Sequence, residues 1–429
     1  MYKLDTTGHE TVLYSFTVGA DGCYPNAGVI RDSAGSLYGT TLYCGTGGSG
    51  VVYKLDTIGN ETVLYSFTGG ADGGLPNAGV IRDLAGNLYG TTGAGGASGE
   101  GVVYELDMAG NETALYSFTG GADGDGPNGL IRDSAGNLYG TTYSGGGGST
   151  GVVYKLDATG RETVLYTFAG ADGWGPFAGV IGDSAGNLYG TTNKGGNGAG
   201  GTLYKLDPAG LETVLYSFTV GADGCCPSAG VIRDAAGSLY GTAGGAGAAN
   251  AGVVFKLDAT GQETVLYSFT GGADGRYPAA GVIRDSTGNL YGTAPEGGTA
   301  NAGVVYKVDT SGHETVLYSF TGGTDGSAPM AGVIRDSAGN LYGTTPGGGT
   351  ANRGVVYRLD AAGRETVLYN FTGGADGGLP TAGVIRDSAG NLYGTAPTGG
   401  AAGAGVVYKL DAAGRETVAV QLHGWGRWA

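Results

Sequence analysis

Residues 79–118 read GVIRDLAGNLYGTTGAGGASGEGVVYELDMAGNETALYSF, and this unit recurs along the whole chain. The Asp that closes its third segment marks the period. It occurs at Asp5, Asp56, Asp107, Asp157, Asp207, Asp258, Asp309, Asp360 and Asp411. Successive copies are therefore 50 or 51 residues apart. A fixed period of this length is typical of solenoids, propellers and arrays.

Each unit contains four short segments with the alternation of a β-strand, at residues 79–83, 88–92, 102–107 and 112–118 in this copy. Tight Gly-containing turns at 83–87 and 107–111 join the first segment to the second and the third to the fourth. The other two connections are longer: a TGGADGxxP stretch before the first segment and a Gly-rich run before the third. The unit therefore predicts four antiparallel strands.

Four antiparallel strands per unit predict an all-β fold, a β-propeller of four-stranded antiparallel blades. Eight complete units begin at Gly28, so we expect eight blades; seven is the alternative if the terminal units stay outside the ring. The domain prediction is a partial repeat at 1–16, the propeller at 17–420 and a divergent tail at 421–429. Either this tail frays, or the N-terminal strands complete the last blade.

Repeated positions also account for most of the aromatic and acidic residues. In Val51–Leu55 we expect Val51, Tyr53 and Leu55 to face one way and Val52 and Lys54 the other. Of 28 tyrosines, 24 occupy three repeated positions, as in Tyr38, Tyr53 and Tyr65, which predicts packing between blades with each hydroxyl on a polar partner. All but four of the 38 acidic residues are likewise repeated; the four are Glu100, Glu105, Asp125 and Glu296.

Composition excludes several classes of protein. The net charge of −16 comes with no basic patch, which argues against nucleic acid as a partner. No stretch approaches the roughly 18 apolar residues of a membrane span. Four cysteines are too few for a disulfide framework, although Cys23 and Cys44 lie in loops of one blade. The chain opens with MYKLD in mid-repeat, which indicates a fragment or a truncated gene model.

The combination of LYGTT, GVVYKLD, ETVLYSF, the DGxxP loop and DSAGN resembles the Gloeo-Verruco (GloVer) tandem repeat family, the choice-of-anchor type of bacterial repeat proteins. The resemblance covers nearly the whole chain. It implies a propeller-like domain without an established activity, in proteins that are mostly exported. It therefore implies an extracellular or cell-surface location. No anchor or export signal is visible in this sequence.

Catalysis needs a few convergent residues that break the symmetry, so we searched for departures from the repeat. His9 and His313 occupy turn positions, and His423 lies in the divergent tail. A zinc site requires three or four converging ligands, which this pattern does not supply. The sequence predicts no catalytic residue, no metal site and no cofactor.

The fourth blade departs most from the repeat. Trp174 and Phe177 lie in its entry loop, Asn193 and Lys194 in its Gly-rich loop, and Gly182 replaces an Arg that the other seven blades carry. Strand directions place both loops on one face, where an aromatic ring and a cation suit a sugar or peptide ligand. Drift in a recently duplicated array is the simpler explanation.

A second set of candidates repeats once per blade. It consists of the loop aspartates Asp21, Asp72, Asp123, Asp172, Asp223, Asp274, Asp325 and Asp376. Turn formation is the principal interpretation of Asp-Gly. Eight equivalent carboxylates on one face are also candidates for multivalent ligand binding, although one carboxylate per site is poor for Ca²⁺. The repeated Arg-Asp pair, as in Arg31-Asp32, predicts ion pairing and turn capping.

We therefore expect a non-enzymatic, monomeric, extracellular propeller that acts as a structural or ligand-binding module, with a polysaccharide or a surface protein as partner. The alternative is a lyase or hydrolase with an axial site. A structural surface repeat without any ligand is a third interpretation. The cysteines are expected to be incidental free thiols, because Cys23 and Cys225 lie in opposite blades and a bond between adjacent Cys225 and Cys226 closes a strained ring. A bond between Cys23 and Cys44, whose loops lie on the same face of blade 1, is the alternative.

Overall fold

The computed structural model describes residues 11–411, and it shows an eight-bladed β-propeller. Each blade is an antiparallel sheet of four strands, and no helix occurs in residues 11–411. Within the same range, no helix has the length and apolarity needed to cross a bilayer. The predicted fold class and the choice of eight blades over seven are confirmed.

The first strands have two residues each: Ile30–Arg31, Ile81–Arg82, Ile131–Arg132, Ile181–Gly182, Ile232–Arg233, Ile283–Arg284, Ile334–Arg335 and Ile385–Arg386. The second strands are Leu37–Thr41, Leu88–Thr91, Leu138–Ser144, Leu188–Thr192, Leu239–Ala243, Leu290–Ala294, Leu341–Thr345 and Leu392–Ala396. The third strands are Val51–Leu55, Val102–Leu106, Val152–Leu156, Thr202–Leu206, Val253–Leu257, Val304–Val308, Val355–Leu359 and Val406–Leu410.

The fourth strands of blades 1 to 7 are Glu61–Ser66, Glu112–Ser117, Glu162–Thr167, Glu212–Ser217, Glu263–Ser268, Glu314–Ser319 and Glu365–Asn370. In blade 8 the fourth strand is Thr11–Ser15, from the other end of the chain. Blade 3 has an additional strand, Asp125–Pro127, which pairs with Leu138–Ser144.

The first strand is shorter than predicted because the residues before it contact the neighbouring blade. In blade 2 only Ile81 and Arg82 pair with the second strand. The carbonyl of Ala78 instead accepts a hydrogen bond of 3.1 Å from the Thr40 hydroxyl of blade 1.

The predicted tight turns are present, and their last position is left-handed: Gly86 has φ 102°, a conformation that glycine adopts without steric cost.

Both faces of each blade are buried against its neighbours, as the alternation predicted. All five residues of Val51–Leu55 except Lys54 are fully buried. Val51, Tyr53 and Leu55 belong to a cluster shared with blade 8, whereas Val52 belongs to a cluster shared with blade 2. Burying apolar surface contributes roughly 25 cal/mol per Å² to stability. Because each blade buries apolar surface on both faces, the interfaces between blades are the main source of stability.

The glycine in the middle of LYGTT leaves room for a tyrosine of the third strand. Gly140 is paired in register with Tyr154, whose side chain is fully buried. A Cβ at Gly140 would lie 2.4 Å from the Tyr154 hydroxyl oxygen and 2.6 Å from its Cζ. The second strand therefore carries glycine at this position because any larger residue would displace the tyrosine ring.

We expect Gly140→Ala to destabilise the protein by about 3 kcal/mol, the usual cost of overpacking a rigid core. Gly147→Ala is the matched control in the same blade, because a Cβ there meets nothing within 4 Å. Thermal unfolding monitored by circular dichroism measures both. Equal melting temperatures for the two variants would contradict this assignment. Adding Tyr154→Phe removes the nearest atom and is expected to restore part of the loss.

The ring closes between blade 8 and blade 1. The strand Thr11–Ser15 pairs with Val406–Leu410, with Val12 opposite Tyr408 and Ser15 opposite Val406. A hydrogen bond of 3.2 Å from the Thr395 hydroxyl to the Ala27 carbonyl repeats here the contact made at the other interfaces except that between blades 2 and 3, where the Thr91 hydroxyl has no hydrogen-bond partner. Of the two alternatives for the last blade, an N-terminal strand completes it, and residues 412–429, including the tail 421–429, lie outside the described residues.

Candidate functional site

Two long loops of each blade lie side by side on what we call the loop face: the loop that contains Asp-Gly (the DG loop) and the Gly-rich loop. One residue pair bridges them in every blade. In blade order the pairs are Cys23–Tyr43, Gly74–Ala94, Asp125–Ser144, Trp174–Lys194, Cys225–Gly245, Arg276–Glu296, Ser327–Gly347 and Gly378–Thr398. The chemistry of this pair changes from blade to blade, whereas the strands barely change.

The aspartates of the DG loops hold the loops in place. In blade 2 one oxygen of Asp72 accepts hydrogen bonds from the Tyr65 hydroxyl (3.1 Å) and the Thr68 backbone N–H (2.8 Å), and the other accepts from the Thr68 hydroxyl (2.5 Å). Six other blades repeat this set, centred on Asp21, Asp123, Asp223, Asp274, Asp325 and Asp376. Both oxygens of each carboxylate are therefore engaged, by a tyrosine in the fourth strand of the preceding blade and by the threonine that begins the DG loop.

Electrostatics agree with this structural role. Burial by itself raises the pKa of the Asp123 carboxyl, but hydrogen bonds from Thr119 and Tyr116 outweigh it and hold the pKa below its usual value. Within residues 11–411, no group of three or more His, Cys, Asp or Glu side chains is arranged to hold a metal ion. Multivalent ligand binding by the eight aspartates stays a prediction.

Blade 4 differs from this arrangement. Its DG loop is one residue shorter, and Ala169 replaces the threonine, so that only the Tyr166 hydroxyl and the Ala169 backbone N–H bond to Asp172. Trp174 and Lys194 form the bridging pair through two backbone hydrogen bonds of 2.7 and 3.0 Å. The Lys194 ammonium lies 4.9 Å from the centre of the indole ring. The predicted proximity of an aromatic ring and a cation is therefore present.

Phe177 and Asn193 lie beside this pair. The backbone N–H of Asn193 donates to the carbonyl of Gly175 at 3.1 Å, so the Gly-rich loop follows the DG loop past Trp174. The Phe177 ring is 55% exposed and stands edge-on to Tyr143 of blade 3 at 5.3 Å. A Cβ at Gly175 would lie 3.2 Å from the Tyr143 ring, which places Tyr143 against the same loop.

We define the aromatic patch as Tyr143, Trp174, Phe177, Asn193 and Lys194. Its three rings are 40%, 37% and 55% exposed. Tyr143 was missed from the sequence, although a signal was available: it is one of four tyrosines outside the three repeated positions. The others are Tyr24, Tyr43 and Tyr277. Tyr24, Tyr43 and Tyr277 lie in loops of the loop face, as do Trp174 and Phe177, whereas Tyr143 lies near the end of the second strand of blade 3, Leu138–Ser144.

The repeated Arg-Asp pair acts between blades, and this extends the prediction of ion pairing and turn capping. Arg132 lies 3.7 Å from Asp83 of the preceding blade and 5.3 Å from the centre of the Tyr89 ring. Asp83 also accepts a hydrogen bond from the Tyr89 hydroxyl at 3.2 Å. Gly182 removes this arginine from blade 4. The interface between blades 3 and 4 therefore lacks the contacts that this arginine makes in other blades. The missing contacts lie on the face of the propeller opposite the aromatic patch.

The tyrosine hydroxyls follow the prediction at two of their three positions. Hydroxyls equivalent to those of Tyr38 and Tyr65 donate to aspartates. At the third position the prediction is wrong: the hydroxyls of Tyr53, Tyr104, Tyr154, Tyr204, Tyr306 and Tyr357 are buried without a hydrogen-bond partner. Blade 5 carries Phe255 there, so the ring alone satisfies the packing requirement.

Two of the best-defined clefts in the described residues belong to the repeat. These clefts, of about 280 and 230 Å³, lie between blades 8 and 1 and between blades 4 and 5. Both are lined by the repeated Arg, Tyr and Lys side chains rather than by residues that break the symmetry. Half-buried glutamates such as Glu162, whose pKa is raised to about 7 by burial and by Asp123, also recur in seven blades.

Cys23 and Cys44 form a disulfide that bridges the two loops of blade 1, with their Cα atoms 5.3 Å apart. The prediction of incidental free thiols is therefore wrong for this pair, because the loops bring two cysteines of one blade together. Cys225 and Cys226 remain thiols.

A family model described as a Gloeobacter/Verrucomicrobia repeat matches the chain three times, over residues 1–184, 150–336 and 286–425. This agrees with the resemblance found in the sequence. No curated protein matches the chain.

Solved structures with a similar arrangement share little sequence. One is the extracellular domain of a proposed one-component system from B. thetaiotaomicron: 11% identity, TM-score 0.44, covering 91% of this chain and 52% of that one. Another is a surface component of the type-IX secretion system of Porphyromonas gingivalis: 16% identity, TM-score 0.41, covering 90% and 55%. A gluconolactonase from Xanthomonas campestris has 15% identity and a TM-score of 0.34, covering 76% and 82%. The chain thus spans about half the length of the first two.

Proposed function

The chain belongs to the Gloeobacter/Verrucomicrobia repeat family, and we propose that it is a non-enzymatic binding module that holds a polysaccharide on its loop face. One observation carries the proposal. Three part-exposed aromatic residues that depart from the repeat belong to adjoining segments of the loop face: Phe177 stands edge-on to Tyr143, Gly175 lies against the Tyr143 ring, and the neighbouring Trp174 has the Lys194 ammonium 4.9 Å from its ring centre.

Rings of this kind suit sugar recognition. An exposed tryptophan, tyrosine or phenylalanine offers a rigid apolar surface for the C–H face of a sugar and loses little conformational entropy on binding. Lys194 and Asn193 supply hydrogen-bond donors at the edge of that surface. The repeated aspartates are less suited to this task, because their oxygens already accept hydrogen bonds within the loops.

An extracellular location is part of the proposal. Disulfides persist in oxidising compartments and are rare in the cytosol of mesophiles. The bond between Cys23 and Cys44 lies on the loop face and needs such an environment to form. The absence of catalysis is also proposed: apart from Glu100 and Cys225, the titratable groups with shifted pKa values occupy repeated positions of the blades, whereas an active site uses a few convergent groups.

A polysaccharide-binding array with the whole protein tests this function. We expect Trp174→Ala and Phe177→Ala to weaken binding at least tenfold, because truncating a stacked aromatic anchor removes more than about 1.4 kcal/mol. Ser327→Ala and Met330→Ala change the equivalent positions of blade 7 and are the matched controls. Asp72→Asn is expected to lower the melting temperature without changing affinity for correctly folded protein.

Three results would contradict the proposal: no binding to any polysaccharide, equal losses in the blade 4 and blade 7 variants, or binding that depends on Asp72 alone. The last result would favour the ring of aspartates as the binding element. Turnover of a polysaccharide or lactone by the purified protein would favour the lyase or hydrolase alternative.

A further inference from the structure

Blade 5 contains two adjacent thiols whose sulfur atoms nearly touch. The Sγ atoms of Cys225 and Cys226 are 2.7 Å apart. A disulfide bond measures about 2.05 Å, and bonded cysteines usually have Cα atoms about 4.4–6.8 Å apart, so a bond between neighbouring residues, whose Cα atoms are about 3.8 Å apart, is strained. The conformation of the loop around these two residues brings their sulfur atoms together.

The backbone of this loop is fixed by hydrogen bonds that do not involve sulfur. The Cys225 backbone N–H donates to the Gly245 carbonyl at 2.8 Å, and the Cys226 N–H donates to the Gly200 carbonyl of blade 4 at 2.8 Å. Cys226 has φ 64°, and the equivalent residues Tyr24 and Tyr277 have φ 59°. The left-handed turn thus belongs to every blade, and it places the two sulfur atoms together because both residues happen to be cysteine.

Cys225 contacts the neighbouring Cys226 because blade 5 lacks the cysteine partner that blade 1 has across the two loops. Cys225 is the equivalent of Cys23, which is bonded to Cys44. In blade 5 the residue equivalent to Cys44 is Ala246, so the partner across the two loops is missing. A Cβ at Gly245 would lie 2.8 Å from the Cys225 sulfur and 3.8 Å from the Cys226 sulfur. Glycine at this position leaves the space that the two sulfur atoms occupy.

We propose that Cys225 and Cys226 are a reversible thiol–disulfide site, which closes to a vicinal disulfide when the protein meets a low-molecular-weight disulfide such as oxidised glutathione. The inference does not depend on polysaccharide binding. It adds a redox-convertible element to the loop face, one blade away from the aromatic patch.

The exchange balances in two steps. Cys226 is half-buried and Cys225 is buried, so the Cys226 thiolate attacks one sulfur of oxidised glutathione and releases the first glutathione. The Cys225 sulfur then loses its proton and attacks the Cys226 sulfur, and the second glutathione leaves. Two thiols are oxidised, one disulfide is reduced, and the two protons end on the two glutathione thiols. Burial, followed by the contact with Cys226, raises the pKa of the Cys225 thiol to about 12, so the second step is expected to be the slow one.

Peptide mapping of the full chain tests the site. The protein is incubated with oxidised glutathione, blocked with iodoacetamide and digested with trypsin, which releases residues 206–233 with both cysteines in one peptide. We expect this peptide to carry no alkyl group and to be about 2 Da lighter than the dithiol. Reduced glutathione is then expected to restore two alkylatable thiols while the Cys23–Cys44 bond stays closed, because a strained disulfide is the easier one to reduce.

The control variants separate this site from the first disulfide. Cys226→Ser is expected to leave Cys225 unmodified, since a buried thiol without a neighbour has no accessible partner. A double Cys23→Ser, Cys44→Ser variant is expected to keep the response of the 206–233 peptide. Two alkyl groups on the oxidised wild-type peptide, a retained glutathione, or a disulfide-linked dimer would each overturn the proposal.

Discussion

Deletion of residues 1–16 is expected to abolish the stable folded monomer. The deletion removes the strand Thr11–Ser15, which is the fourth strand of blade 8. Its partner Val406–Leu410 would then expose an unpaired edge, and such edges pair with other chains. We expect a large fall in melting temperature together with aggregation in size-exclusion chromatography.

The magnitude follows from what the strand buries. Phe16 is fully buried and Leu13 is 6% exposed, and Phe16 stands edge-on to Tyr53 of blade 1 at 5.2 Å. Two buried apolar side chains contribute about 2 kcal/mol each, and the lost backbone pairing contributes about 1 kcal/mol per hydrogen bond. The sum is on the order of the whole free energy of unfolding of a typical domain, which is about 5–15 kcal/mol.

The matched control is deletion of residues 412–429, which leaves Thr11–Ser15 in place. We expect this variant to keep the wild-type melting temperature. Phe16→Ala alone is expected to cost about 4 kcal/mol, as for other buried aromatics. If deletion of 412–429 unfolds the protein while deletion of 1–16 does not, the C-terminal segment supplies the outer strand instead.

This closure illustrates what the sequence determines and what it leaves open. The period, the alternation and the glycine turns are local properties, so they predicted the four-stranded blade correctly, although the first strand is shorter than predicted. The last blade was ambiguous because residues 10–16 and 416–420 carry the same strand pattern, ETVLYSF and ETVAV. Choosing between them depends on which chain end reaches the third strand of blade 8, and local sequence does not encode that.

The site was predictable to a similar degree. Departures from the repeat led to Trp174 and Lys194, since both loops of a blade leave the sheet on one side. Tyr143 was missed because it belongs to blade 3 and joins the patch through packing against Gly175 and Phe177 of blade 4. The inter-blade role of Arg132 was missed for the same reason: Asp83 is a partner that only the ring geometry brings within reach.

Raising the pH from 5 to 8 is expected to lower the free energy of unfolding strongly. The reason is that seven half-buried glutamates have pKa values raised by their surroundings and become charged in this interval. They are Glu61, Glu112, Glu162, Glu212, Glu263, Glu314 and Glu365. Each starts the fourth strand of its blade, and one of its carboxyl oxygens is buried without a hydrogen-bond partner. Burial raises the pKa of each carboxyl to about 7, and the aspartate of the preceding DG loop adds to the shift.

The surroundings of Glu112 show why charging it is unfavourable. Burial raises the pKa of Glu112 and Asp72, in the DG loop of the same blade, adds to the shift, while the Tyr65 hydroxyl of blade 1 opposes it without cancelling it. Tyr104 of the same blade is fully buried, and its own pKa is raised by burial and then by Glu112. A second negative charge in this interface repels the first and lacks the hydration it has in the unfolded chain.

The sign of the effect follows from proton linkage. Each glutamate has a higher pKa in the folded state, about 7, than in the unfolded state, about 4.5, so the folded protein binds more protons in this interval. The stabilisation is fully present below about pH 4.5 and is lost as the pH rises through 7. Aspartates with lowered pKa values, such as Asp133 and Asp183, act in the opposite sense, and their contribution is lost only below their ordinary value of 3.8. Maximum stability is therefore expected between about pH 4 and 5.

The size of the effect comes from repetition. These side chains are only half-buried, so solvent screening reduces each contribution to about 1 kcal/mol or less. Seven copies together still change the free energy of unfolding by on the order of 5 kcal/mol. Melting temperatures measured from pH 4 to pH 8 at constant ionic strength test this directly. A melting temperature that is flat or rises between pH 5 and pH 8 would contradict it.

A triple variant, Glu162→Gln, Glu212→Gln and Glu263→Gln, isolates the cause. Glutamine keeps the shape of the side chain and cannot ionise, so we expect the fall between pH 5 and pH 8 to shrink by roughly three parts in seven. Glu296→Gln is the control, because Glu296 is exposed in a loop and lies 3.9 Å from Arg276. If the triple variant retains the wild-type pH profile, these glutamates are not its source. If it flattens the profile and raises stability at pH 8, the interfaces between blades are the part of the propeller that senses pH.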